Sequence, residues 1–338
     1  MCADRFLTVA ALIGNMERKH LLTLIRIFVP AVLLSIVLWM QDWGELRGLI
    51  VRADYGLLLW AFVLYLIAVF LQGWRWHVLL SSDGDPWPFV RLQRVHFIAL
   101  FFDLFTPGKI GSDAYRVTAM RRAGKNAHTI SSIVALRIHG FAVAVLFAAV
   151  AGSVVLGAKH GWVFVIVTIA ALVLLGAGLM IAIHRFGAVG ASYLLSQSGI
   201  RQRIGYHLNR AIEAFNAILS HRRVMLISSV LAVFFMLAIV CVYAAAGHAF
   251  HMNLRFVSYL SAVPIFLVAS VIPITIQGRG LTEVLAIALW AEGPSGATAE
   301  QVVLTCLAVY AVQLGQGLIG GLVWGVETWK RQNAETSN

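Results

Sequence analysis

Long apolar runs separated by short polar stretches dominate the chain, at about residues 22–40, 55–72, 129–157, 161–183, 224–247 and 302–326. Each is close to or beyond the roughly 20 residues a helix needs to cross a hydrocarbon layer about 30 Å thick. The runs Phe141–Leu156 and Val163–Ile183 show no alternation of apolar and polar residues, which excludes a transmembrane barrel. The pattern predicts an all-α fold, a polytopic transmembrane helical bundle of about six full spans.

Two further apolar stretches, about 92–106 and 256–272, are each followed by a turn bearing Pro and Gly and then by a second short helix. Both read as broken or re-entrant hairpins. Between the fourth and fifth spans, Ile204, Leu208, Ile212, Phe215 and Ile218 form one apolar stripe among Arg and His residues. That stripe predicts an interfacial helix over about 201–221, with a solvated linker helix as the alternative.

Composition sharpens the picture. Apolar residues make up 60% of the chain and charged residues 12%, outside the range of a soluble domain. The net charge of +11 is concentrated in connections, as in Lys109, Arg116, Arg121, Arg122 and Lys125. With both termini cytoplasmic, roughly 20 of the 26 Lys and Arg residues fall inside, about five outside, and Arg137 within a span. Loops facing anionic lipid account for this charge, so no nucleic-acid partner is expected. Residues 1–15 resemble no signal peptide and are expected to be dispensable, since Met16 opens a basic cap followed by a complete span. Residues 16–330 form a single transmembrane domain, with a disordered tail at 331–338. Cys2, Cys241 and Cys306 are too scattered for a disulfide framework.

An approximate repeat lies about 166 residues apart. FFDLFTPGKIGSDAYR, Phe101–Arg116, corresponds to VASVIPITIQGRGLTE, Val268–Glu283. Each is an apolar half-helix, a Pro, a Gly-bearing turn and a charged residue opening a second helix. The turns carry Pro107, Gly108 and Gly111 in the first copy and Pro273, Gly278 and Gly280 in the second. By the charge count the first hairpin enters from the cytoplasm and the second from outside, an inverted repeat with copies at about 55–157 and 224–326. Irregular backbone at that depth persists only when buried in protein or lining a wet cavity.

These motifs resemble the lysylphosphatidylglycerol synthase transmembrane region, a flippase-like integral membrane family. The likeness covers about Met16 to Lys330 and is carried by QGWRWHVLL at 72–80, TPGKIGSDAYR at 106–116, SSIVALRIHG at 131–140 and PITIQGRGLTE at 273–283. Departures are Ser112 where a second Gly is common, Leu136 where an acidic residue is common before Arg137, and Arg279 where a small or apolar residue is usual. The family's aminoacyl-lipid synthase activity resides in a soluble carboxy-terminal domain that does not follow these motifs here. The resemblance therefore implies movement of a phospholipid or polyprenyl-phosphate-linked lipid across the cytoplasmic membrane, and not an enzyme. A non-catalytic subunit partnering a glycosyltransferase or lipid synthase is the alternative.

The residues permit a physical version of that activity. Arg116, Arg137 and Arg279 are candidate partners for a lipid phosphate, because a guanidinium offers forked donors to phosphate oxygens. Lys109 stands where it could collect an anionic head group. Asp113 and Glu283 either cap free backbone amides at the starts of their helices or pair with the arginines. Arg137 and the two hairpins are expected to converge on one polar cavity near the midplane, with a snorkelling or helix-locking Arg137 as the bland alternative. Trp74, Arg75 and Trp76 are expected to anchor the second span at the head-group level. His139 lies one helical step from Arg137 and reads as an ordinary intramembrane His. His248 and His251 lack nearby acidic ligands, so no metal site is expected, and no Gly-rich phosphate loop points to a nucleotide cofactor.

Overall fold

A computed structural model describes residues 42–83, 87–106, 110–121, 126–160, 220–271, 279–291 and 297–336, together with residue 39 and scattered positions between 206 and 218. The spans expected at 22–40 and 161–183, most of the helix at 201–221, and Pro107, Gly108, Lys109, Pro273 and Gly278 lie outside the described residues. Everything described is helix or connection, with no strand.

Among the described residues, nine α-helices follow in order: α1 Trp43–Val51, α2 Tyr55–Leu80, α3 Phe89–Asp103, α4 Ile110–Arg121, α5 Asn126–His160, α6 Arg222–Ala249, α7 Phe256–Val271, α8 Leu281–Ala286 and α9 Ala299–Thr336. Four contain segments long and apolar enough to cross a membrane: Tyr55–Leu80, His128–Val150, Arg222–Ala249 and Ala299–Lys330. The 26 residues of α2 give about 39 Å at 1.5 Å per residue, ample for a hydrocarbon core of about 30 Å. The chain is thus an all-α, multi-pass membrane protein.

Local chemistry sets the boundaries. The Asp42 carboxylate accepts from the backbone N–H groups of Gly44 at 2.7 Å and Glu45 at 3.2 Å, capping α1. Asp54 does the same for α2 through Leu57 N–H at 3.1 Å. After α8 the helix loosens into a single π turn, Ile287–Ala291, which brings Trp290 into the core, its indole N–H donating to the carbonyl of Ser258 at 3.3 Å.

The largest helix interface is α2 against α6. They run antiparallel. At one end the Asp54 N–H donates to the Ala249 carbonyl at 3.0 Å; at the other the Arg75 Nε donates to Ser228 Oγ at 3.2 Å. The next two interfaces are reciprocal: α5 packs on α7, and α9 packs on α3. Each half therefore places its final span on the first arm of the other half's hairpin. Equivalent helices that run antiparallel side by side are the geometry of an inverted repeat.

The hairpins enter from opposite ends. The first starts beside the carboxy-terminal end of α2, where the Trp87 carbonyl lies 2.8 Å from the His77 ring, rises to Leu104, and returns along α4 until Met120 packs against Trp76, Leu79 and Leu80. The second starts at Phe256, just past the end of α6, descends to Ser270, and climbs back through α8 to Trp290 beside Ser258. Close approach of α9 to α3 depends on glycine. A Cβ on Gly320 would lie 2.0 Å from the Phe97 carbonyl oxygen.

Candidate functional site

In the first hairpin the break is tied by side chains that the sequence pattern did not single out. Asp103, the last residue of α3, accepts from the Ser112 N–H at 3.0 Å and so serves the exposed amides that open α4. Thr106 Oγ1 accepts from the Gly111 N–H at 2.8 Å and donates to the Phe102 carbonyl at 3.1 Å. A carboxylate caps this helix, as expected, but Asp103 supplies it from across the turn. Asp113 is occupied otherwise: it is 3.5 Å from Arg116 Nη1 and accepts a hydrogen bond from the Arg137 Nη2.

Arg116 is buried. Its Nη2 is 2.7 Å from His96 Nδ1, and its guanidinium lies 5.0 Å from the centroid of the Trp76 ring. One carboxylate thus bridges two guanidiniums, and the chain Arg137–Asp113–Arg116–His96 runs from α5 through α4 to α3.

In the second hairpin Gly280 adopts φ 81°, ψ −50°, a conformation natural for Gly, and opens α8. Its N–H donates to Glu283 Oε2 at 2.7 Å, so the fully buried Glu283 closes back on the start of its own helix. Arg279 Nη1 lies 3.6 Å from Glu283 Oε1, its Nη2 donates to Gln313 Oε1 at 2.5 Å, and the guanidinium stacks 3.8 Å from the centre of Tyr310. For Glu283 the capping and pairing roles coincide in one side chain.

Between the hairpins lies a cavity of about 100 Å³. The first hairpin contributes His96 and Asp103, the second contributes Ser270, Arg279 and Thr282, and Tyr65, Gln72, Tyr243, Gln313 and Gln316 complete the polar wall. Gln316 donates to the Phe62 carbonyl at 3.2 Å, while its Oε1 has no hydrogen-bond partner among the described residues, and neither has Arg279 Nε. A buried polar atom left unpaired costs roughly 1–3 kcal/mol, a cost that both atoms carry beneath the surface of the wall.

Both hairpins thus reach one polar cavity, but the expected residues divide. Arg279 lines it, and Arg116 reaches it through His96. Arg137, Asp113 and Glu283 are not among its lining residues. Asp103, His96, Gln313 and Gln316 were overlooked, although an Asp, a His and two Gln inside apolar helices are themselves a signal.

The trio at the end of α2 also differs from expectation. Only Trp74 faces outward, 43% exposed, whereas Arg75 and Trp76 are buried. Arg75 donates to the Leu136 carbonyl at 3.1 Å and approaches His139 Nδ1 at 3.1 Å, and the Trp76 indole donates to Ser132 Oγ at 3.1 Å. Successive residues on a helix are about 100° apart, so three in a row cannot share one outward face.

Residues 23–321 match the family described as "Lysylphosphatidylglycerol synthase TM region". The chain belongs to this family. Among curated relatives, a UPF0104 membrane protein of Methanothermobacter thermautotrophicus is 23% identical over 339 residues, covering 91% of this chain and 95% of that protein. A UPF0104 membrane protein of Pyrococcus horikoshii is 29% identical over 125 residues, 36% of each chain. No solved structure matches. Family membership agrees with the multi-pass helical architecture.

Proposed function

We propose that this protein moves a lipid with an anionic head group across the cytoplasmic membrane, without covalent chemistry, by passing the head group between the two hairpins. The carrying observation is the central cavity, with Asp103 and His96 on one hairpin, Arg279 and Thr282 on the other, and each hairpin open toward a different end of the bundle. Moving a charged head group through hydrocarbon is the expensive step. A polar wall with a stacked guanidinium lowers it. In this reading the end bearing Arg91, Arg94, Arg222, Arg223 and Lys330 faces the cytoplasm, following the bias of basic residues.

Reconstitution into liposomes with fluorescent phospholipids of differing head groups tests it. Protein-containing vesicles should expose inner-leaflet lipid to an external quencher faster than empty vesicles. Arg279→Lys should slow that step, because a lysine keeps the charge and loses both the fork toward Gln313 and Glu283 and the stack on Tyr310. Equal rates with and without protein, for every head group tried, count against transport.

A further inference from the structure

A second hollow lies apart from the central cavity. It is a cleft of about 690 Å³ at the basic end, between α3, α4 and the end of α9. Its walls carry three cations, Arg91, Arg94 and Lys330, against one carboxylate, Glu327. Glu327 pairs with Arg94 at 3.4 Å, and Arg91 and Lys330 make no ion pair among the described residues. Arg91 instead rests on the Trp87 indole, 4.5 Å from its centroid. Trp87 and Trp324 line the same cleft, and Trp beside Arg at the end of a span marks the head-group level of a bilayer.

Toward the interior the cleft meets an aromatic layer. Phe102 stacks on Tyr115 at 5.0 Å and meets Trp324 edge-on at 5.7 Å, and Phe101 stacks on Trp324 at 6.1 Å. Tyr115 and Trp324 belong to the cleft; Asp103 and Leu104, the next residues of α3, belong to the central cavity. The two hollows are thus neighbours across one layer of rings.

We propose that this cleft docks an anionic glycerophospholipid, its phosphate between Arg91 and Lys330 and its first acyl carbons against Val90, Val95 and Trp324. The surplus of two cations selects a net negative head group, and the open apolar wall accepts a molecule with chains, which a free anion would not need. The volume suits a glycerophosphate head with the start of its tails, and lies within the 300–1,000 Å³ usual for ligand pockets. The proposal deepens the transport reading, and rests on it, by assigning where lipid is taken up before the aromatic layer opens.

The test separates binding from transport. Full-length protein in phosphatidylcholine nanodiscs is titrated calorimetrically with dihexanoyl phosphatidylglycerol, dihexanoyl phosphatidylcholine and glycerol phosphate. Phosphatidylglycerol should bind at least tenfold tighter than phosphatidylcholine. With each cation worth about fivefold at an anionic surface, Arg91→Gln with Lys330→Gln should weaken it about 25-fold, while Arg52→Gln, which removes an exposed cation at the opposite end of the bundle, leaves it within twofold. Both substituted side chains are exposed, so the double variant keeps its fold, and unchanged thermal unfolding verifies this. Equal binding of the two lipids, no effect of the double substitution, glycerol phosphate binding as tightly as the lipid, or an equal loss of binding in Arg52→Gln would each overturn the proposal. Absence of transport with this binding intact counts against the transport reading and not against the cleft.

Discussion

The Arg137 guanidinium donates to the Asp113 carboxylate, joining the return arm of the first hairpin to the span that follows it. Asp113 also stands 3.5 Å from Arg116, so it compensates two cations at once. Arg137 therefore acts here as a lock between α4 and α5, with about a third of its side chain still exposed.

Removing the shared carboxylate should be worse than removing one of its arginines. Asp113→Asn removes the carboxylate that faces both the buried Arg116 and the half-buried Arg137, and should destabilise the protein by about 1–3 kcal/mol. Arg137→Leu leaves Asp113 with Arg116 and should lower the unfolding temperature less. Thermal unfolding in detergent compares them, and the Asp113→Asn/Arg137→Leu double variant should lie closer to wild type than Asp113→Asn alone. A double variant that unfolds at the sum of the two single losses would show that the residues act independently.

The four described spans were legible because length and apolarity suffice for them, and the hairpins because Pro and Gly interrupt an otherwise continuous run. The nine-residue helix α1, capped by Asp42, was not anticipated, because it is too short to register in a search for membrane spans. Orientation was not legible. A helix that is apolar nearly all round has no stripe to show which side faces the bundle, so Arg75 and Trp76 could not be told from Trp74. Asp103 was hidden for another reason: its partner, Ser112, becomes a neighbour only when the hairpin folds back.

Gln316→Leu should separate stability from transport. The substitution deletes an acceptor that has no partner among the described residues together with one hydrogen bond, to the Phe62 carbonyl, and keeps similar bulk, so the unfolding temperature should fall only slightly. Lipid movement in liposomes should fall about tenfold, the equivalent of one polar contact of about 1.4 kcal/mol at the barrier. A variant with wild-type transport would remove Gln316 from the path.

Gly320→Ala should damage packing where Gly325→Ala does not. The added methyl at position 320 would meet the Phe97 carbonyl, a backbone atom that cannot move without shifting α3, whereas a Cβ at Gly325 meets nothing within 4 Å. Overpacking of this kind typically costs about 1–3 kcal/mol. Equal unfolding temperatures for the two variants would show that α9 can slide away from α3.

The inverted arrangement predicts which residues an external reagent reaches. Because α2 and α6 are antiparallel and each hairpin returns to the end it entered from, Thr118 on α4 and Asn253 just before α7 should lie on opposite sides of the membrane. Both are exposed, so single cysteines there should not disturb the core. An impermeant maleimide applied to intact cells should label Asn253→Cys directly and Thr118→Cys only after permeabilisation, since Thr118 lines the basic cleft and basic ends stay cytoplasmic. The reversed pattern would keep the repeat and invert its orientation, placing the cleft outside. Labelling of both positions from one side is the outcome the fold cannot accommodate, because it would require one hairpin to cross the bundle, and the described arms, at 15 and 12 residues for α3 and α4, are each too short to do so.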